Sequence, residues 1–280
     1  MKRSLLYQIG GETSDSTSGS LPLGFDDMLE EVQLAEELGI DAVWCFPASG
    51  SEGDFRGSAP AIFLSALASQ TERIRLGWGL ADMTPPARPP MRVAEQAAAI
   101  DIASKGRLEV AVLPGSDLAP EDSEGWDEGV RMLVDMWDAP AFSWTSPRFT
   151  VQPVDVVPKP LQDPHPPIWL AGWSGDHATR AGEAGLAFLD VSGGTDETLH
   201  VHRDLYTEAR AGCDPLDLVS AGLYGIAVEL EATSKGQSQL EAWEEAGIDQ
   251  VVVRAGPLEG GHAEARERIR FLASEDARVH

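Results

Sequence analysis

The chain has 280 residues, 42% of them apolar, and a formal net charge of −25. Its length suits one barrel or two smaller domains, and its strong acidity makes nucleic acid and anionic membrane poor partners. No apolar run approaches the roughly 20 residues that span a bilayer, and segment 5–9 is too short for a signal peptide. We therefore expect a cytoplasmic protein. Its two cysteines, Cys45 and Cys213, have neither metal-ligand spacing nor the number for a disulfide framework.

One local pattern occurs four times along the chain. A helix-like stretch is followed by a glycine and then by a short apolar run; the glycines are Gly39, Gly106, Gly185 and Gly247. A glycine just past a helix end takes the left-handed backbone that closes the last turn. An apolar run after it is typical of a strand buried on both faces, as in parallel sheets. The repeated pattern predicts a chain of βα units.

Eight strands are predicted in chain order, at 5–9, 42–46, 74–80, 108–113, 168–172, 187–191, 223–228 and 250–255. Amphipathic helices lie between them, with apolar residues spaced i, i+4, i+7 at Met28, Val32 and Ala35, at Val93, Ala97 and Ile100, and at Ala265, Ile269 and Leu272. Right-handed crossovers close eight such units into a (β/α)₈ barrel, which we expect to be one domain over 1–280. An open doubly wound sheet fits less well because no glycine-rich dinucleotide fingerprint follows the first strand.

A long insertion separates the fourth and fifth predicted strands. It contains a helix at 124–137, a hairpin-like piece at 141–157 and a proline-rich stretch at 158–167. Long connections of this kind are commonly functional. We therefore expect the insertion to cover the mouth of the barrel.

Three stretches carry a family resemblance. Segment 66–113 contains TERIRLGWG, PMRVAEQ and GRLE; segment 144–172 contains VPKP and PHPPIWLAG; and AGIDQV stands at 246–251. In combination they resemble the bacterial-luciferase-like flavin monooxygenases, a (β/α)₈ family that also includes deazaflavin-dependent reductases. The charged motif residues Arg73, Arg92, Glu95 and Arg107 also suit a purely structural role as salt-bridged supports.

The turn after the fifth predicted strand is the first candidate site. It reads Gly172, Trp173, Ser174, Gly175 and opens a short helix. Exposed main-chain N–H groups and the positive helix end can bind an anion there. The resemblance implies that this loop holds the phosphate of FMN. The alternative is that Ser174 merely caps the helix.

The end of the third predicted strand is the second candidate. Gly77 and Gly79 flank Trp78, and glycines permit the close approach of a flat ring. The resemblance implies a bulge with a non-proline cis peptide behind the isoalloxazine ring. The alternative is that Trp78 simply fills the barrel.

The chain departs from the family after its second strand. Segment 44–49 contains no histidine and no carboxylate, whereas relatives often have an acid–histidine motif there. Two replacements are candidate catalytic residues: His177, because histidine titrates near neutral pH, and Cys45, as a thiol at a strand end facing the mouth. The plainer alternatives are a surface histidine and a buried, inert cysteine.

The resemblance implies a monooxygenase that uses reduced FMN and oxygen on a small organic substrate, with a separate flavin reductase as partner. Two alternatives stay open: a deazaflavin-dependent hydride-transfer enzyme, and a degenerate, non-catalytic subunit. Family members commonly dimerise through the helices that match 61–68 and 93–103, so the resemblance implies a homodimer, and both segments are rich in alanine, which permits close helix packing.

Overall fold

The computed structural model describes residues 1–9, 25–47, 59–81, 90–114, 120–193, 196–217, 219–220, 222–256 and 261–274. Its strands are β1 (Lys2–Ile9), β2 (Ala42–Pro47), β3 (Arg75–Ala81), β4 (Leu108–Leu113), β5 (Phe142–Thr145), β6 (Thr150–Val154), β7 (Ile168–Gly172), β8 (Ala187–Asp190), β9 (Tyr224–Val228) and β10 (Gln250–Gly256). Its helices are α1 (Phe25–Glu37), α2 (Pro60–Gln70), α3 (Pro90–Ala103), α4 (Pro120–Asp138), α5 (Gly175–Ala184), α6 (Asp196–Arg210), α7 (Ser234–Glu245) and α8 (Gly261–Ala273). Within these described ranges, no helix is long and apolar enough to cross a membrane.

Eight of the strands form a closed parallel barrel. Around the barrel their order is β1, β10, β9, β8, β7, β4, β3, β2, which returns to β1. Each of the eight predicted strands overlaps one of these, so the predicted (β/α)₈ barrel is confirmed. Strands β5 and β6 form a separate antiparallel hairpin.

The local signals that predicted the barrel have the expected physical basis. The four junction glycines all have positive φ, 80° at Gly39, 81° at Gly106, 65° at Gly185 and 76° at Gly247. The apolar residues predicted on the inner faces of α1, α3 and α8 are at most 4% exposed. These four junctions are therefore closed by left-handed turns, and these three helices each pack through one apolar face.

The chain forms two compact units, residues 1–78 with 224–280 and residues 79–223. In the first unit β9, β10, β1 and β2 pair in parallel, and α1 packs against α8 and α2. In the second unit β4, β7 and β8 pair in parallel, α3 packs against α4, and α5 packs against α6.

The proline-rich end of the inserted segment lies at the N-terminal edge of the barrel. Lys159 donates to two main-chain carbonyls at the C-terminal end of α4, at 2.7 and 2.6 Å. The side chain of Gln162 donates to the carbonyl of Leu108, the first residue of β4, at 2.8 Å. The hairpin before this stretch contacts the middle of α4, where the indole N–H of Trp144 donates to Glu128. That the insertion covers the mouth of the barrel stays a prediction.

Several motif residues hold the second unit together. The indole N–H of Trp169 donates to the Glu109 carboxylate at 2.9 Å, and Glu109 is 4% exposed. The buried Asp101 carboxylate accepts the main-chain N–H groups of residues 161 and 162 at 2.7 and 2.9 Å. Arg107 donates to the carbonyl of Ser104 at 2.7 Å. These contacts give much of the family motif a structural role.

Candidate functional site

The loop after β7 is closed by a helix cap. Ser174 is the N-cap residue of α5, and its Oγ accepts the main-chain N–H of His177 at 3.3 Å. The loop lies at the C-terminal edge of the barrel, where (β/α)₈ proteins carry their sites. The first N–H groups of a helix have no partner within the helix, so the turn keeps donors for an anion. The capping geometry is as expected; anion binding stays a prediction.

His177 lies across this loop rather than free on the surface. A Cβ on Gly172 would stand 2.5 Å from the Cβ of His177, so a glycine is needed beneath this side chain. The main-chain N–H of Trp173 donates to His177 Nδ1 at 3.3 Å, and the two rings meet edge to face with centroids 4.7 Å apart. Since Nδ1 accepts this bond, a neutral His177 carries its proton on Nε2.

The electrostatics of the loop favour that neutral form. Burial lowers the pKa of His177 below its ordinary value, and the nearby Arg180 guanidinium lowers it further. The Asp176 carboxylate acts in the opposite direction but does not reverse the shift. At pH 7 His177 is therefore a neutral donor through Nε2–H.

Gly175 lets the first turn of α5 approach helix α6 closely. A Cβ at this position would stand 2.7 Å from Leu205 Cδ1 and 3.8 Å from His202 Cδ2, and both of these residues belong to α6. Any larger residue would need α6 to give way. The glycine thus places the N-terminal turn of α5 directly beside His202.

A buried histidine–carboxylate pair stands beside this loop, and the sequence reasoning missed it. Asp190 ends β8 in register with Gly172, is 0% exposed, and binds His202 Nδ1 at 2.7 Å through Oδ2. Its Oδ1 accepts the N–H of Ser192 at 2.9 Å. The available signal was an aspartate at the end of a predicted strand. Nothing in the sequence pairs it with a histidine 12 residues later.

Gly77 of β3 faces the indole ring of Trp44, a residue of the protein itself. A Cβ on Gly77 would stand 2.1 Å from the indole of Trp44, its register partner in β2. Gly79 shares the face of Gly77 because side chains alternate along a strand. The cis peptide bonds among the described residues precede Pro158 and Pro164. The cis bond that the resemblance implies is therefore absent from β3 as described.

Cys45 and Trp78 face the helix layer. Both are in register with Tyr7, whose hydroxyl donates to Glu31 of α1 at 2.7 Å. Trp78 is 2% exposed on this outer face, so it does not fill the barrel interior. Cys45 is 0% exposed, and burial raises the pKa of its thiol. These surroundings suit a structural thiol rather than a nucleophile at the mouth.

The nine predicted site residues thus fall into two groups. The first group, on β2 and β3, contains Cys45, Gly77, Trp78 and Gly79. The second group, at the start of α5, contains Gly172, Trp173, Ser174, Gly175 and His177. The second group carries hydrogen-bond donors beside a buried charged pair, whereas in the first group the described contacts are mainly apolar packing.

Comparison with known proteins agrees with this arrangement. The sequence model described as luciferase-like monooxygenase matches residues 1–228. The chain belongs to the luciferase-like monooxygenase family. One relative in this family is the oxygenase component of the flavin-dependent trigonelline monooxygenase of Acinetobacter baylyi, 28% identical over 162 residues, which are 52% of this chain and 43% of the relative.

Another relative is the F420-dependent glucose-6-phosphate dehydrogenase of Amycolatopsis mediterranei. It is 26% identical over 185 residues, 60% of this chain and 54% of the relative. The chain thus matches about half the length of these curated relatives. The relatives of this chain therefore include both a flavin-dependent and an F420-dependent protein.

Solved structures share the whole fold. Monooxygenase RslO1 of Streptomyces bottropensis superposes with a TM-score of 0.76 at 20% identity, covering 98% of each chain. The oxygenating constituent of 3,6-diketocamphane monooxygenase of Pseudomonas putida, in complex with FMN, has a TM-score of 0.70 at 16% identity and covers 99% of this chain and 98% of its own. At these identities the likeness establishes the luciferase-like barrel alone.

Proposed function

We propose that this luciferase-like protein is a monooxygenase that uses reduced FMN and oxygen on a small organic substrate. The observation that carries the proposal is the capped loop of residues 172–177, which offers hydrogen-bond donors at a helix N-terminus. An anionic group such as a flavin phosphate fits that donor set. When bound, reduced FMN would supply the reaction with oxygen.

The chain itself would bind and orient the cofactor. The hydroxyl of Ser174 and the unpaired N–H groups of the first turn would hold the phosphate, with His177 Nε2–H as a further neutral donor. Asp176 lies in the same turn, and its negative charge disfavours a phosphate directly beside it. We therefore assign the main contacts to Ser174 and Gly175.

The chain would also keep water away from the reaction. Trp44 and Phe46 of β2 are 0% and 6% exposed, with ring centroids 6.1 Å apart. Apolar rings of this kind protect a reactive cofactor from water without acting as an acid or base. An oxygenase of this design has no need of the acid–histidine motif missing after β2.

A separate reductase is part of the proposal. The trigonelline relative is named as an oxygenase component, which implies a second component that supplies its reduced flavin. By analogy, we propose that a separate flavin reductase delivers reduced FMN to this chain.

A second candidate is hydride transfer with a deazaflavin. It is favoured by the F420-dependent relative and by an F420-dependent secondary alcohol dehydrogenase structure of the same fold, with a TM-score of 0.74. The chain has 46 acidic and 21 basic residues, and this negative charge disfavours binding of the anionic tail of a deazaflavin.

Anaerobic titration with reduced FMN and, in parallel, with reduced F420 tests the proposal through tryptophan fluorescence. We expect saturable binding of FMN alone, lost in the Ser174→Glu/Gly175→Glu double variant because two carboxylates repel the phosphate. Preference for F420 would favour the hydride-transfer enzyme. Binding of neither cofactor would favour a non-catalytic subunit.

A homodimer is the proposed assembly. The solvent face of α2 contains Ile62, which is 69% exposed, together with Ser65, Ala66 and Ser69, and it lacks any charge. An uncharged face with an exposed isoleucine is unusual on so acidic a chain and suits a protein contact.

Substituting this isoleucine tests the dimer. We expect the wild type to have twice the 30.0 kDa chain mass in solution, and Ile62→Glu to dissociate it because a charge is costly to bury at an interface. Light scattering after gel filtration measures this mass. Val201→Glu, at a 52% exposed apolar position on α6, is the matched control. A wild-type mass of 30.0 kDa would refute the dimer.

A further inference from the structure

An arginine lies on the inner face of the first unit, close to the C-terminal ends of its strands. Arg254 of β10 is in register with Leu6 of β1, and Leu6 is in register with Trp44 of β2. The next residue of β1, Tyr7, reaches out to helix α1, so these three side chains share the opposite, inner face. The side chain of Arg254 is 36% exposed. A guanidinium in this position is accessible to a substrate that enters from the C-terminal face of the barrel.

The Glu229 carboxylate contacts this guanidinium at one point. Its Oε1 atom pairs with Nε of Arg254 at 2.7 Å, and its Oε2 atom pairs with Nη1 of Arg268 at 3.1 Å. Because its two oxygens are divided between two arginines, Glu229 does not make the two-point contact that a carboxylate can form with one guanidinium. Within the part of the chain that the structure describes, the terminal edge of Arg254, formed by Nη1 and Nη2, is therefore left for a ligand.

The neighbouring Arg268 of α8 is the structural counterpart. Its Nη1 atom donates to Glu229 and to the main-chain carbonyl of Arg254, and its Nη2 atom donates to Glu264 at 2.9 Å. Its side chain is 12% exposed, against 36% for Arg254. Arg268 thus uses both terminal nitrogens within the protein and fixes the end of β10, whereas Arg254 contacts its partner through Nε.

Two aromatic rings lie on the same inner face, on β2. Trp44 and Phe46 are 0% and 6% exposed, and their ring centroids are 6.1 Å apart. Gln8 of β1 is in register with Phe46 and carries a partly buried amide on this face. Neighbouring strands lie about 4.8 Å apart, so β10 and β2, separated by β1, lie about 10 Å apart. This spacing suits a small molecule with a charged group at one end and an apolar body at the other.

We propose that the substrate is a small apolar carboxylate, which Arg254 binds through the terminal edge of its guanidinium. The planar fork of an arginine matches a carboxylate at two points, and such charge-assisted hydrogen bonds are stronger than neutral ones. The Gln8 amide donates to the same carboxylate, and the rings of Trp44 and Phe46 pack against the apolar body. The inference rests on the proposed function for the reaction and adds the class of substrate.

The test compares the binding of acids with that of their uncharged amides, in the absence of flavin. The probes are benzoate with benzamide, and cyclohexanecarboxylate with its amide, titrated by calorimetry at pH 7. We expect the wild type to bind at least one acid about tenfold more tightly than its amide, because hydrogen bonds to a charged group are the stronger. In Arg254→Gln this preference should disappear, with amide binding unchanged. Arg254→Lys, which keeps the charge without the fork, should keep part of the preference.

Arg266→Gln is the matched control. Arg266 also belongs to α8 and pairs with Glu30 of α1 at 2.6 Å, where Glu30 is 64% exposed. This variant removes the same charge at the outer surface of the first unit, so its preference for the acid should equal that of the wild type. An equal loss of preference in Arg266→Gln and Arg254→Gln would overturn direct contact with Arg254.

Different failures have different meanings. Equal binding of acid and amide by the wild type, or an unchanged preference in Arg254→Gln, overturns the carboxylate site and leaves the proposed function to FMN titration. Loss of FMN binding in Arg254→Gln with an unchanged acid preference also overturns it. A preference for the acid in a wild type that does not bind FMN supports the carboxylate site and overturns the monooxygenase. If Arg254→Gln does not fold, Arg254→Lys decides: a reduced preference supports the site, and an unchanged one overturns it.

Discussion

Two histidine–carboxylate clusters in this molecule contain similar residues but differ in their partners and in their burial. In the first, His202 of α6 binds the Asp190 carboxylate of β8 through Nδ1 at 2.7 Å. In the second, His262 of α8 binds Glu31 through Nδ1 at 2.6 Å and Asp27 through Nε2 at 3.1 Å, both on α1. Glu31 is itself 1% exposed and accepts the hydroxyl of Tyr7. Both ring nitrogens of His262 are thus occupied within the protein.

The two clusters differ in burial and in the elements that they join. His202 and Asp190 are at most 9% exposed and join α6 to β8, whereas His262 is 35% exposed and joins α8 to α1 through two carboxylates. Each cluster contributes to stability because its most buried carboxylate, Asp190 or Glu31, has a partner. Burial and pairing are therefore more informative here than residue type.

The largest expected effect on the free energy of unfolding comes from disrupting the cluster of His262. Glu31→Ala leaves the buried Tyr7 hydroxyl and one histidine nitrogen without partners, so we expect a loss of about 3 kcal/mol in the free energy of unfolding. Urea unfolding measures this loss. FMN affinity of the folded variant should be unchanged.

Glu30→Ala is the matched control for this prediction. Glu30 pairs with Arg266 at 2.6 Å, but its side chain is 64% exposed. An exposed ion pair contributes no more than about 1 kcal/mol. Equal losses in the two variants would remove the distinction between a buried cluster and an ordinary surface pair.

A smaller effect is expected where α5 meets α6. Gly175→Ala places a methyl group against Leu205, and because the end of a leucine side chain can move, we expect a cost of about 1–2 kcal/mol. The added methyl group also stands in the turn that we propose as the phosphate site, so it should weaken FMN binding. Thermal unfolding and flavin titration measure the two effects. Gly212→Ala, where a Cβ would meet nothing within 4 Å, should change neither.

The smallest expected effect on stability distinguishes helix capping by Ser174 from binding of FMN by the same residue. Ser174→Ala and Thr233→Ala each remove an N-cap hydroxyl, which accepts a main-chain N–H at 3.3 Å in α5 and 3.4 Å in α7. Each variant should lose about 1 kcal/mol of stability. Only Ser174→Ala should also weaken FMN binding. Equal FMN affinity in both variants would reduce Ser174 to a structural cap.

The barrel was predictable because its signals are local. Four of the junctions combine a glycine with positive φ, the helix before it and a short apolar strand after it, all within about one repeat of chain. The cap at Ser174 could be predicted on the same grounds, since a capping residue acts on an N–H three positions later.

Two kinds of feature could not be predicted from the sequence. One is the face of a strand on which a side chain lies, and the other is which residues of different elements meet. Cys45 and Trp78 lie on the outer face because of their register with Tyr7, and a shift of one residue would reverse them. Asp190 and His202 meet through the packing of α6 on β8.

The hairpin gives the molecule a convenient attachment point. Its turn is held by Ser146, whose Oγ accepts the N–H groups of Arg148 and Phe149 at 3.1 and 2.9 Å, while residues 147 and 148 are exposed. The hairpin is fastened to the middle of α4, where the indole N–H of Trp144 donates to the Glu128 carboxylate. A surface tether or fluorescent label bonded at position 148 would therefore hold the molecule through a turn that its own hydrogen bonds keep in place.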